Sequence, residues 1–324
     1  MRSPLSRRSL LLFGASGVSL GLLSGCGLRL DSEPEVPTLD ATEQLRNRIA
    51  RILAATTPGD GDPETAGEDL QKFRDAIGAE WAPPSELATE PPPTEDARSF
   101  IEAAEVVSQS VFEASSQLDS ALIPVLSDVA TGLSLTAGTK KPELIGTAEE
   151  LIRQGRKDAD DGDAQTESTE SAADGADAAG DDEDTDGQDA YNAILNQARA
   201  AAYGYERLAV HFETKSAERR GAIDRLDSLG SLSGEMLENL GEKNADPNAS
   251  AWKLDPSPTD AASARELALN LEDALAAAIL PWLRTGTAGI LRLWESARAR
   301  TIFADPQPLR YDYSGDSGEA EAHQ

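Results

Sequence analysis

The chain has 324 residues, with 29 Lys and Arg against 58 Asp and Glu, a formal net charge of -29. Nucleic-acid binding requires a basic surface, so this charge excludes nucleic acid as a partner. Cys26 is the only cysteine, which rules out an intrachain disulfide, and aromatics at 5% point to helix bundles rather than sheets.

Residues 1–25 read as an export signal. Arg2, Arg7 and Arg8 precede a stretch from Ser9 to Leu23 without charged residues, interrupted by Gly14, Gly17 and Gly21. At about 15 residues it is shorter than the roughly 20 that span a bilayer. Leu23-Ser24-Gly25-Cys26 resembles the bacterial lipobox: small residues admit a signal peptidase, and the Cys26 thiol takes a diacylglyceryl group. Arg7-Arg8 resembles a twin-arginine motif, which exports folded proteins, with Leu10 and Leu11 where Phe and Lys often follow; the other reading is an ordinary charged leader. Two or three acyl chains (palmitate among them) on Cys26 would hold the protein on the extracytoplasmic face of the cell membrane. Residues 26–38, with Pro34 and Pro37, then form a tether reaching at most roughly 40 Å.

An N-terminal helical domain of four or five helices is expected over residues 39–156. Asp40 and Glu43 make a capping-box pattern before Leu45, Ile49, Ile52 and Leu53. A second helix is expected to begin near Asp62-Pro63 and to carry Ala66, Leu70, Phe73 and Ile77. Prolines 83, 84 and 91 to 93 bracket a stiff connector. A long helix is expected from Thr94 through Val111, continuing or kinking near Pro124, and Leu144, Ala148, Leu151 and Ile152 mark one more.

Residues 157–190 form the expected boundary. From Asp158 to Ala190 there are 14 acids, no base and no Val, Ile, Leu or aromatic residue, so the segment cannot offset its ordering entropy and reads as a disordered acidic linker. Spaced Asp158, Asp160, Asp161 and Asp163 admit a cation-binding reading, but the Gly and terminal Glu of a calcium loop are out of register.

Four helices are expected over residues 191–304. Tyr191, Ile194, Ala198, Ala202, Tyr205, Ala209 and Phe212 step by three or four throughout, one inward seam of a bundle helix. A second helix runs from Ser216 through Ile223, Leu226 and Leu229, with a break expected at Gly230. Thr259 caps a third that carries Ala264, Leu267, Leu271 and Leu275. After Pro281 or Gly286 to Gly289, Ile290, Leu293, Trp294 and Ala297 mark the fourth. Residues 305–324 are expected to be a disordered tail. The fold class is therefore all-α.

Ala202-Tyr203-Gly204-Tyr205, Glu218-Arg219-Arg220-Gly221-Ala222-Ile223, Trp252 in a Pro-rich loop, and Ala264-Arg265-Glu266-Leu267-Ala268-Leu269-Asn270-Leu271-Glu272-Asp273 resemble a ferritin-like domain of unknown function found in actinobacterial lipoproteins. The resemblance covers about residues 190–303. It implies a four-helix ferritin-like bundle and no established activity.

A ferritin-like two-metal site needs a Glu from each of two helices and a Glu-x-x-His from each of the others. No Glu-x-x-His occurs, and Asn196-Gln197 stand where the resemblance places a Glu-His pair. Glu206 and His211 are five apart and point away from each other on a helix. No metal or other cofactor is expected. Arg219, Arg220 and Glu272 are candidates for a structural ion pair across the bundle; solvated charges on separate faces, or an anion site at the arginines, are the other readings. Neither His211 nor His323 has a recognisable nucleophile beside it. The expected function is a non-enzymatic lipoprotein that binds an envelope protein or scaffolds an envelope complex. The alternative is a ferritin-like metal-binding or oxidase protein with an atypical site.

Overall fold

Asp40 accepts the Glu43 amide at 2.8 Å while the Glu43 carboxylate reaches back to the Asp40 amide, and this capping box opens α1 (Ala41–Ala55). The computed structural model describes residues 39–82, 93–118, 121–167, 183–283 and 289–313, leaving aside the side chains of 158–167 and 183–186. α2 (Ala66–Ile77) stops at Gly78, whose φ of 76° suits glycine. The two helices cap each other. Arg74 of α2 donates to the Leu53 and Thr56 carbonyls at 2.7 and 2.9 Å, and Arg46 of α1 donates to the Ile77 and Ala79 carbonyls at 3.0 Å.

The long helix expected from Thr94 is two helices. α3 (Phe100–Glu113) begins at a capping box of Ser99 and Glu102, and the Asp62 carboxylate accepts the Phe100 and Ile101 amides of its first turn at 3.1 Å. α4 (Ile123–Gly138) follows with Pro124 in its first turn, where a missing N–H leaves no bond unmade. All of α4 except Val125 is buried, with α2, α3 and α5 (Glu143–Glu167) packed around it.

α6 (Glu183–Leu208), a 3-10 turn at Ala209–His211, α7 (Ala217–Leu240), α8 (Ala261–Trp282) and α9 (Gly289–Arg300) complete the order. The α6 seam is buried at Ile194, Ala198, Tyr205, Ala209 and Phe212, and α6 packs on both α7 and α8. Several local expectations are corrected. Gly230 does not break α7, because a single glycine is tolerated inside a packed helix. Ile223 is 50% exposed, off the buried stripe of Ala222, Leu229, Leu232 and Met236. Asp260, not Thr259, caps α8 by accepting the Ser263 amide at 2.9 Å. Among the described residues there is no strand, only an isolated bridge between Thr56 and Arg98.

The halves expected on either side of the acidic segment are one body: the described residues belong to a single compact unit with a continuous core. α9 packs on α8 but also on α4 and α5. Trp294 of α9 meets Phe112 of α3 edge-on with ring centroids 6.2 Å apart, and Arg298 donates to Glu149 of α5 at 2.6 Å. The acidic segment is also shorter than expected. α5 continues helical to Glu167, and α6 starts at Glu183. Residues 168–182 lie outside the described residues.

The tail expected to be disordered is described as far as Tyr313, and residues 305–313 form an irregular strap held on α4. A Cβ at Gly132 would stand 1.7 Å from the Pro308 carbonyl oxygen, so only glycine lets the strap lie this close to the helix.

Candidate functional site

Glu272, in the middle of α8, is fully buried, and its carboxylate is saturated. Arg225 of α7, with 5% of its side chain exposed, donates Nε to Oε1 at 2.8 Å and Nη2 to Oε2 at 2.9 Å. The Tyr205 hydroxyl on α6 donates to Oε1 at 2.8 Å. The remaining Arg225 nitrogen, Nη1, donates to Ser228 Oγ at 3.1 Å. Fork-to-fork geometry and a third donor offset the cost of taking both charges out of water. Burial pushes the Arg225 pKa down, but the Glu272 charge and its hydrogen bonds together outweigh this and the net shift is upward. Burial, then the Glu272 charge, push the Tyr205 phenol well above its ordinary value, so it stays a donor.

The Glu272 backbone carbonyl ties in two more elements. Ser296 Oγ of α9 donates to it at 3.2 Å and Arg310 Nη2 of the strap at 2.8 Å. Arg310 Nη2 also meets Asp273 Oδ1 at 3.0 Å.

The expected ion pair exists at Glu272 but with a different arginine. Arg219 Nη1 donates to the Phe212 carbonyl at 3.4 Å and Arg220 Nη1 to the Lys215 carbonyl at 3.1 Å, both in the chain just before α7. Each sits in the first turns, roughly 7.5 to 9 Å of helix rise from Arg225. Arg225 had a signal of its own, a charge at the three-four spacing of Ala222, Leu229, Leu232 and Met236.

A second buried carboxylate, Asp128 of α4, was not singled out from sequence. It accepts the Arg310 amide at 2.9 Å, the Tyr311 amide at 3.1 Å and the Tyr313 hydroxyl at 3.3 Å. Burial raises its pKa to about 6 against the lowering effect of the two amides. Arg310 is shifted below its ordinary value, because burial outweighs the pull of Asp273 and Glu272. Beside this contact lies a cleft of about 480 Å³, walled by Lys72, Asp75 and Ala76 of α2 and by strap residues 307–313. Its size is that of a small-ligand site.

Cys26, Arg7 and Arg8 lie outside the described residues. Asn196 donates to Asp246 at 2.7 Å, tying α6 to the loop after α7, and His211 is half-buried in the 3-10 turn. The bundle does not fit a two-metal centre: both Glu272 oxygens face a guanidinium, with a phenol on one of them. Among the described residues no three His, Cys, Asp or Glu side chains are grouped as metal ligands. Comparisons with family models, curated proteins and solved structures find no match to this chain.

Proposed function

We propose that the chain is a lipid-anchored extracytoplasmic protein that works as a non-enzymatic binding or scaffold protein of the cell envelope, its C-terminal half a ferritin-like bundle put to structural use. The observation that carries this reading is the Arg225, Glu272 and Tyr205 cluster. The polar centre between α6, α7 and α8, where a ferritin-like protein would gather metal ligands, holds a guanidinium whose bonds fix the register of three helices. The cleft beside the strap supplies a place for a ligand or for a partner's side chain. The lipobox from Leu23 to Cys26 supports the anchor.

The anchor is tested by growing cells with labelled palmitate. The wild-type protein is expected to take up label and to sediment with membranes. Cys26→Ser is expected to do neither, because no second thiol can accept the lipid. Undiminished labelling of the variant would contradict the assignment.

A further inference from the structure

We propose that residues 305–313 form a releasable latch, which leaves α4 as a local unit and opens the cleft it walls while the Arg225 and Glu272 pair stays closed. The seat consists of point attachments. Pro308 lies in the notch at Gly132, the Arg310 and Tyr311 amides share the single Asp128 carboxylate, and the Arg310 side chain reaches α8 at the Glu272 carbonyl and Asp273. Leu309 is only half-buried, and Tyr311 is 49% exposed, so the strap removes little apolar surface from water.

Against these attachments stands an accumulation of desolvated polar atoms. Arg310, with 2% of its side chain exposed, has Nε and Nη1 without a protein hydrogen-bond partner. So do Gln307 Oε1 on the strap and the Ser127 and Thr131 hydroxyls on α4, close in sequence to Asp128. A buried polar group without a partner carries its full desolvation penalty. The Glu272 carboxylate has every oxygen bonded. The strap therefore belongs to the low-stability end of the molecule and the pair to the high end.

The consequence concerns the cleft. Seven consecutive residues of its lining, 307–313, are strap, so the cleft exists only while the latch is shut. Any molecule that fills it binds the shut form and holds it there, with a coupling that works in both directions. The latch itself depends on neither the lipid anchor nor the identity of such a molecule.

Hydrogen exchange on the intact mature protein tests the latch. The Arg310 and Tyr311 amides are expected to be at least tenfold less protected than the α8 amides around Glu272 and to open without global unfolding. Gly132→Ala, which places a methyl group against the Pro308 carbonyl, is expected to lower strap protection by a further tenfold or more with α8 unchanged. Wild-type strap amides that exchange only when α8 does, or a Gly132→Ala effect that spreads equally to α8, would overturn the proposal.

Discussion

Arg225 and Glu272 are taken out of water together, so removing one leaves the other a buried charge without its counterion. Arg225→Met is expected to cost about 3 to 5 kcal/mol, while the double change with Glu272→Met is expected to recover most of it. Urea melts of the two singles and the double check this. Asp128 gives the second test at this scale. Its pKa is about 6 in the folded protein, above the ordinary 3.8, so the fold binds a proton that the unfolded chain releases between these values. Its contribution to stability is complete below about pH 4 and is lost as pH rises through 6. Relative to Asp128→Asn, the wild type should therefore become less stable between pH 4 and pH 7, by at most roughly 3 kcal/mol. A difference independent of pH would contradict the burial argument. Glu272 was legible as a carboxylate in mid-helix that suits an arginine across the bundle, although the arginines chosen for it were Arg219 and Arg220. Asp128 was not, since α4 is buried all round and has no stripe to interrupt. Its partners lie 182 and 183 residues away, beyond any local pattern.

Helices were legible in proportion to how local their causes are. The α1 cap and the α6 seam depend on residues three or four apart, and both stand where the pattern places them. The start of α3 was misread by six residues although its capping box at Ser99 and Glu102 is local; Asp62, far back in the chain, adds acceptors for its first amides. Within α6, Tyr205 sits fully buried between Glu272 and the Phe303 ring, whose centroid is 6.1 Å away. Tyr205→Ala is expected to cost about 3 to 5 kcal/mol through lost burial and a cavity. Tyr205→Phe keeps the ring and removes only the donor to Glu272, for about 1 to 2 kcal/mol. His211→Ala, at the half-exposed 3-10 turn, is expected to stay within about 0.5 kcal/mol. Thermal melts of the three variants rank these roles; a His211 effect as large as that of Tyr205→Ala would mean that the turn carries an interaction this account does not contain.

At the scale of the molecule, composition marked the acidic segment as a boundary, and packing does not respect it. The reason is α9, which follows the segment in sequence yet packs on α4 and α5, with Arg298 on Glu149 of α5, and meets Phe112 of α3 through Trp294. Charge and hydropathy along the chain report where a core cannot form, but not which helices share one. A protease site inserted within residues 168–182 should therefore give two fragments that stay together on gel filtration under native conditions. Fragments that elute separately would restore the two-domain picture. Whether the polar centre of the bundle is a structural lock rather than a metal centre is tested most directly by one thermal melt of the purified protein after chelation, repeated with iron(II) or manganese(II) in excess. A ligand that binds only the folded state must raise the melting temperature. Superimposable curves are expected, because the Glu272 oxygens are already held by Arg225 and Tyr205. A rise of several degrees on adding metal, lost in Glu272→Gln, would contradict it.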